Sequence, residues 1–258
     1  ALIALPLFIF MGQLMNSSGI TQRLVDLCLV FVGRFSGGLG MVNVSTSMLF
    51  GGISGSSTSD TASIGSVLIP EMKKRGYPLS YASGITVASS TMGMILPPSI
   101  PMVLYAVSAQ VSVGKLFLGG IIPGLMVGIL QLCIAVWISK RNNYPKENAE
   151  GSWKRCFTAV SQSVHILIMP VFVVGVVVFG IATATESAAL GGLYALGIGI
   201  FFMRFLTLKS FYESLLSAAR TSAYIMIIIA FSQVFVWILA LERAPESMTQ
   251  LMLSLELT

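Results

Sequence analysis

The sequence predicts an all-α integral membrane protein with several spanning helices, and three observations carry that prediction. Of its 258 residues, 55% are hydrophobic and only 10% are charged, whereas about a quarter are charged in a soluble domain. The mean hydropathy is +0.87. The net charge of +5 comes from short basic clusters between long apolar runs, which is typical of membrane proteins. The composition therefore excludes disordered, coiled-coil, collagen-like and nucleic-acid-binding classes, and the short alternating segments of a β-barrel are absent.

Long apolar runs place the spanning helices along the chain. A span needs about 20 apolar residues at a rise of about 1.5 Å each, and residues 1–16 look like a span whose beginning is missing. The clear complete spans are 80–107, 113–139, 164–182, 187–206 and 221–241. Segment 17–34 mixes charged and apolar residues, which is typical of an amphipathic helix in the membrane interface. We therefore expect an excerpt, lacking both ends, of a longer multi-span protein.

The segment 38–72 predicts a re-entrant helical hairpin. Its two apolar arms, 38–53 and 61–72, are too short or too broken to span, and the polar sequence GGISGSSTSD lies at residues 51–60. Irregular backbone at membrane depth is tolerated only where it is buried in protein or lines a wet cavity. If the segment is a hairpin, all 15 Lys and Arg residues except Lys115 and Arg243 fall on one side, which the positive-inside rule makes cytoplasmic.

A weak internal repeat relates residues 8–24 to residues 235–251. Each copy runs from a span through a polar break to a Thr-Gln pair, and the predicted threading puts the copies on opposite membrane sides. Inverted repeats of this kind are typical of secondary transporters. The chain then divides into a first repeat, 1–139, a basic cytoplasmic loop, 140–163, and an incomplete second repeat, 164–258, whose hairpin is expected beyond residue 258.

The span 80–107 carries the sequence LPPS at residues 96–99. Two successive prolines remove two backbone donors, and Pro98 biases Pro97 away from helical geometry, so the helix is expected to break here. The break frees carbonyl oxygens between Gly93 and Leu96. Carbonyl and hydroxyl oxygens are ligands that small cations prefer, and the hairpin tip supplies more of them. Together the two features predict an ion site that needs no carboxylate.

Several motifs in the chain recur together in one transporter family. They are GISGSSTSDTA at 52–62, IPEM at 69–72, LPPSI at 96–100, FLGGIIPG at 117–124 and TATESAA at 183–189. With them the chain resembles, over essentially its whole length, the large membrane subunit of TRAP (tripartite ATP-independent periplasmic) transporters. The resemblance implies the ion-transporter-superfamily fold, with two inverted repeats that each hold a re-entrant hairpin.

The same resemblance implies a function and partners. It implies sodium-driven, elevator-type uptake of a carboxylate-bearing solute, such as a dicarboxylate or sialic acid, across the bacterial inner membrane. A four-helix membrane subunit, separate or fused, would brace the protein, and a soluble periplasmic protein would deliver the solute. Proton coupling stays open, although a neutral, oxygen-rich hairpin tip favours sodium.

Carried over residue by residue, the resemblance implies two adjoining sites. The sodium ligands would be tip residues and backbone oxygens of the broken helix: Ser54, Gly55, Ser56, Gly93, Leu96 and Pro98. The substrate would lie beside the tip, near hydroxyl-bearing residues: Ser56, Ser57, Thr58 and Ser99. No catalytic residue is expected.

Three further polar residues, Asp60, Glu186 and His165, bear on alternative roles. Asp60 and Glu186 are expected to cap helices. The alternative for Asp60 is ion or proton binding, and the alternative for Glu186 is contact with a substrate or partner.

An intramembrane serine protease would use Ser54 in the sequence GISG, but the only histidine, His165, is expected at the membrane edge. A passive channel would explain the polar tip but not the repeat or the broken helix. The three cysteines are too far apart to predict a disulfide or zinc site.

Overall fold

The computed structural model describes residues 3–35, 37–145, 153–202 and 206–254, and all regular structure in these ranges is helical. The helices are α1 (Ala4–Ser17), α2 (Ile20–Val32), α3 (Gly38–Ser54), α4 (Ser57–Lys74), α5 (Leu79–Ser90), α6 (Ile100–Ser108), α7 (Val113–Arg141), α8 (Trp153–Val178), α9 (Ala184–Gly197), α10 (Leu208–Leu241) and α11 (Ala244–Ser254). A 3-10 turn, Thr91–Met94, follows α5, and a π-helical turn, Ile198–Phe202, extends α9. The predicted helical membrane fold is confirmed.

Among the described residues, three helices are long and apolar enough to cross a membrane: Val113–Arg141, Ala184–Phe202 and Leu208–Leu241. Ala4–Ser17 and Ser163–Val178 are shorter apolar helices. The chain forms two compact units, residues 1–218 and 219–258, and α10 continues from the first into the second. The candidate site lies within the first unit.

The first two helices meet at a sharp turn. Gly19, at a φ of 72°, adopts the left-handed conformation that glycine tolerates best. Helix α1 packs chiefly against α9, whereas α2 packs against α3 and α8. Helix α2 lies inside the predicted interfacial segment 17–34. It buries Ile20 and Leu24 and exposes Asp26, as an amphipathic helix should.

Helices α3 and α4 form the hairpin. Helix α3 ends at Ser54, and its C-cap residue Gly55 has a φ of 62°, which is again left-handed. Ser56 is extended before α4 begins at Ser57. Helix α4 therefore starts four residues before the predicted second arm, and Ser57 and Thr58 are helical. The re-entrant course of this hairpin through a bilayer stays a prediction.

The predicted span 80–107 is divided into two helices. Helix α5 ends at Ser90, the 3-10 turn occupies Thr91–Met94, and α6 begins at Ile100. The peptide bond between Pro97 and Pro98 is cis. Ser99 is the N-cap of α6, because its Oγ accepts a bond from the Met102 nitrogen at 3.5 Å.

Helix α7 supports the broken segment with a row of glycines at four-residue spacing. Gly120 faces Met102, Gly124 faces Leu96 and Gly128 faces Met48. A Cβ on Gly124 would lie 2.6 Å from Leu96 Cδ2. Because these positions carry no side chain, the segment between α5 and α6 can lie directly on the α7 backbone.

The region after α7 differs in extent from the prediction. Helix α8 begins at Trp153, so the second half of the predicted loop 140–163 is helical, while residues 146–152 lie outside the described ranges. Helix α9 begins with a complete capping box in which Thr183 and Glu186 bond each other's backbone nitrogen. The expected capping role of Glu186 is therefore confirmed.

Candidate functional site

The hairpin tip lies directly against the break between α5 and α6. The Ile100 nitrogen, the first of α6, donates a hydrogen bond of 3.1 Å to the Gly55 carbonyl at the tip. A Cβ on Gly55 would lie 2.9 Å from the Pro98 carbonyl oxygen. The structure thus brings together two of the segments that the sequence assigned to one ion site.

A second contact joins the same two segments at Gly51, one turn of α3 before Gly55. A Cβ on Gly51 would lie 2.9 Å from both the nitrogen and the Cα of Gly93, and a Cβ on Gly93 would lie 3.3 Å from the Ser56 carbonyl carbon. Two glycine backbones therefore pack face to face with no side chain between them. A side chain at position 51 would clash with the Gly93 backbone, whereas a Cβ at position 93 would press against Ser56.

The break leaves carbonyl oxygens without donors. The nitrogens of Ile95 and Leu96 both donate to Met92, and Ser99 Oγ donates to the Met94 carbonyl at 2.7 Å. Among the described hydrogen bonds outside the helices, none ends on the carbonyl oxygen of Gly93 or Leu96. A buried carbonyl normally has a partner, so an oxygen without one is a candidate ligand for a cation.

The tip itself is built from hydroxyls and backbone. Ser54 is buried, and its Oγ lies 3.4 Å from the Ser56 carbonyl oxygen and 3.3 Å from the Ser56 nitrogen. A Cβ on Gly12 of α1 would lie 2.8 Å from the Ser54 carbonyl oxygen, so α1 closes this side of the tip. The predicted sodium residues of the tip therefore lie against those of the broken helix. Gly55 faces Pro98, and Ser56 faces Gly93.

The four residues predicted for the substrate fall into two groups. Ser56 Oγ and Thr58 Oγ1 lie 3.1 Å apart, and Ser57 Oγ lies 3.2 Å from Ser90 Oγ. Ser99 differs from these three, because it is buried and its hydroxyl bonds the Met94 carbonyl and the Met102 nitrogen. Its hydroxyl stabilises the break.

Polar residues that the sequence reasoning did not identify support the hairpin from α5. Thr61 Oγ1 donates to Ser90 Oγ at 2.6 Å, so Ser90 contacts two residues of α4. Asn43 of α3 donates to Thr86 Oγ1 at 2.7 Å and accepts from Ser89 Oγ at 3.2 Å. The signal in the sequence was the run Ser89-Ser90-Thr91 inside an apolar span.

Asp60 is the one predicted helix cap that the structure contradicts. It lies in the first turn of α4, but the N-cap residue is Ser56 and no side chain makes a cap hydrogen bond there. The Asp60 side chain is fully buried, and neither carboxylate oxygen has a hydrogen-bond partner among the described residues. The cap prediction failed because α4 starts at Ser57, four residues before the predicted arm. Asp60 is therefore the fourth residue of the helix and not its N-cap.

His165 has structural contacts. Its carbonyl accepts a 2.9 Å hydrogen bond from Tyr194 Oη, and its ring lies 4.4 Å from that of Phe202. Ser54 Oγ, in contrast, contacts only the backbone of Ser56 among its described hydrogen bonds. The pair that a serine protease would need is not among the described contacts.

Comparison with known proteins decides the family. Residues 1–258 match the family described as "Tripartite ATP-independent periplasmic transporter, DctM component". The chain belongs to the DctM family. The family resemblance drawn from the hairpin and Pro-Pro motifs is thus confirmed, and the protein is a multi-pass protein of the bacterial inner membrane.

Three relatives illustrate the range of this DctM family. The chain is 39% identical to the isethionate TRAP transporter permease protein DctMQ of Oleidesulfovibrio alaskensis, covering 98% of this chain and 40% of that protein. It is 37% identical to the sialic acid large permease protein SiaM of Vibrio cholerae, over 98% of this chain and 59% of that protein. It is 34% identical to the C4-dicarboxylate large permease protein DctM of the same organism, over 98% of this chain and 60% of that protein. The chain therefore spans less than two thirds of each relative.

These relatives are named as transporter permeases and not as enzymes. The protease alternative therefore has no support from the comparisons, and neither does the channel alternative.

Proposed function

We propose that the chain is part of a secondary transporter that couples a sodium gradient to the uptake of a carboxylate-bearing organic anion. The observation that carries the proposal is the contact of the hairpin tip with the broken helix, through the Ile100–Gly55 hydrogen bond and the Gly51–Gly93 packing. Two named relatives support the carboxylate, since sialic acid and C4-dicarboxylates carry one. The third relative is named for isethionate, which is a sulfonate, and it supports only the broader class of organic anions.

The oxygen ligands around the tip fit sodium as the coupling ion. Gly93 and Leu96 would offer carbonyl oxygens on which no described hydrogen bond outside the helices ends, and Ser54 would add its hydroxyl. With Gly55, Ser56 and Pro98 they form a neutral set of hard oxygens, which suits a monovalent cation. A sodium ion held there would join hairpin and break, so the tip could close over a solute only when the ion is bound.

The solute would lie on the exposed side of the same tip. Ser56 and Thr58 present their hydroxyls there, and Ser57 is held by Ser90 beside them. Hydroxyls and the α4 N-terminus compensate part of an anion's charge. The remaining contacts would come from a second hairpin, as the predicted inverted repeat implies.

The cycle that we propose is an elevator-type alternating access. The hairpin and the broken helix would move together with the ion and the solute, because backbone packing without intervening side chains makes them one rigid piece. A small four-helix membrane subunit, separate or fused as in the DctMQ relative, would brace the moving piece. A periplasmic binding protein would deliver the solute.

The test is uptake of a labelled organic anion by proteoliposomes that contain the complete permease complex and its binding protein. We expect uptake to require an inward sodium gradient and to be abolished by Ser54→Ala and by a Pro97→Ala/Pro98→Ala double variant. Ser66→Ala is the matched control, since Ser66 is an exposed α4 serine that bonds only the Ser63 carbonyl. Uptake indifferent to sodium and to both changes would disprove the proposal.

A further inference from the structure

An apolar groove of about 300 Å³ runs between α5 and α7, and none of the tip residues 54–58 lines it. Its walls include Ile85, Ala88, Ile134 and Ile138, and its floor is Val44 of α3. Gly84 lies in the wall, and a Cβ placed on it would meet nothing within 4 Å. Gly84 is exposed, so the groove opens to the surface at this position and has room there for a side chain.

The polar groups in the groove wall mostly bond within the protein. Tyr81 Oη lies 3.4 Å from Ser139 Oγ, Ser89 Oγ donates to Asn43, and Gln131 Nε2 donates to the Ala88 carbonyl at 3.0 Å. The surface left to an occupant is therefore nearly all apolar. Ser80 to Ala88 spans about 12 Å of helix at 1.5 Å per residue, close to the thickness of one leaflet's hydrocarbon, about 15 Å.

One end of the groove is aromatic and basic. The α7 residues that line it, Ile134 and Ile138, continue one turn later to Arg141, whose guanidinium carbon lies 5.6 Å from the Trp137 ring centre. Tyr77, Tyr81 and Tyr144 pack together at this end, with ring centres between 4.8 and 6.1 Å apart. The last turn of α7 adds Lys140, and the last turn of α4 carries Lys73 and Lys74, of which Lys74 lies 3.7 Å from the Glu71 carboxylate.

We propose that this groove binds an anionic phospholipid, with one acyl chain between α5 and α7 and the phosphate beside Lys140 and Arg141. The positive charge at the basic end of the groove favours an anionic lipid over a protein helix as the occupant. A neighbouring transmembrane helix would also bring basic residues to the cytoplasmic side, since membrane helices follow the positive-inside rule. The cations of α7 and α4 repel such a helix and attract an anionic headgroup.

The test uses the complete permease complex in phosphatidylcholine nanodiscs. They are doped with phosphatidylglycerol or phosphatidylcholine that carries a diazirine on one acyl chain, and peptide mass spectrometry locates the label after irradiation. We expect the phosphatidylglycerol probe to label α5 and α7 several-fold more than the phosphatidylcholine probe. A Lys140→Gln/Arg141→Gln variant should remove this preference.

A matched pair of glycine variants tests whether the acyl chain lies in the groove. Gly84→Leu fills the groove and should abolish the label on α5 and α7, whereas Gly119→Leu should keep it. Gly119 is an exposed α7 glycine whose Cβ would also meet nothing within 4 Å. Leucine has a higher helix propensity than glycine, so both variants are expected to fold.

Three results would overturn the proposal. Equal labelling by the two probes would mean that the headgroup is not recognised. An unlabelled groove would mean that protein covers it, for example a helix of the small membrane subunit. Unchanged labelling in Gly84→Leu would put the lipid elsewhere.

Discussion

Ser90 connects the broken helix to the second arm of the hairpin at the level of single side chains. It accepts from Thr61, lies 3.2 Å from Ser57 Oγ, and donates to the Val87 carbonyl of its own helix. Ser57 is one of the residues proposed to contact the solute. The orientation of that hydroxyl therefore depends on a residue that need not touch the solute itself.

We expect Ser90→Ala to raise the KM for the solute about fivefold while changing kcat little, because a lost hydrogen bond of about 1 kcal/mol leaves Ser57 unoriented. The measurement is the concentration dependence of uptake. Ser83→Ala is the control, since the Ser83 hydroxyl bonds only backbone carbonyls of its own helix. An unchanged KM in Ser90→Ala would contradict the positioning role.

Asn43 is buried between α3 and α5, where it bonds both Thr86 and Ser89. We expect Asn43→Ala to destabilise the permease by about 1 kcal/mol, within the range measured for side-chain hydrogen bonds between membrane helices. Thermal unfolding of the detergent-purified protein measures it. Asn142→Ala, which removes an exposed amide at the end of α7, should leave the melting temperature unchanged. Equal shifts in the two variants would contradict the stabilising role of Asn43.

Sequence alone predicted part of this chemistry at the residue scale. Ser54 and Gly55 stood out because polar, irregular backbone between two apolar arms must be buried in protein or line a wet cavity at membrane depth. Ser90 and Asn43 were missed because their partners lie 29 to 46 positions away, and such pairings depend on how helices pack. Asp60 was misjudged for a related reason, since its role as a cap depended on where α4 begins.

At the scale of elements, the hairpin and the broken helix fit together through glycine. The backbones of Gly51 and Gly93 face each other, so any side chain at position 51 would meet the 3-10 turn. Backbone atoms cannot rotate away as the end of a side chain can. The contact therefore controls the distance between the tip and the break.

We expect Gly51→Ala to abolish sodium-dependent uptake while leaving the permease folded, because a Cβ there pushes the hairpin away from Gly93. The measurement is sodium-dependent uptake beside the yield of purified complex. Gly119→Ala is the control with the same chemical change, since a Cβ at position 119 would meet nothing within 4 Å. Full sodium coupling in Gly51→Ala would show that the close contact is not needed.

The bounds of the elements were only partly predictable. The prolines at 97 and 98 predicted a break, but helix geometry is lost as early as Thr91, because the 3-10 turn packs against the hairpin tip. The early start of α8 at Trp153 was missed because residues 153–163 carry the basic and polar side chains of an ordinary loop. Local composition shows where helices are possible, and tertiary contacts decide where they end.

At the scale of the whole molecule, the threading predicts which loops face which side of the membrane. The turn between α6 and α7, around Gln110, is expected on the periplasmic side, and the end of α7, around Asn142, on the cytoplasmic side. In a permease freed of native cysteines, an impermeant maleimide added to intact spheroplasts should label Gln110→Cys. It should label Asn142→Cys only after the membrane is opened. The reverse pattern would contradict the orientation and the hairpin prediction on which it rests.

The central claim is that the hairpin tip and the broken helix form one sodium site. Sodium-dependent thermal stabilisation of the purified complete permease tests it most directly, because an ion that binds only the folded state raises the melting temperature without any transport. We predict that sodium, but not potassium at equal ionic strength, raises the melting temperature of the wild type and of Ser66→Ala. The rise should be smaller than in the wild type in Ser54→Ala and equally in Pro97→Ala/Pro98→Ala, any remainder coming from the second hairpin. A sodium-dependent rise as large as that of the wild type in either of these two variants would contradict the claim.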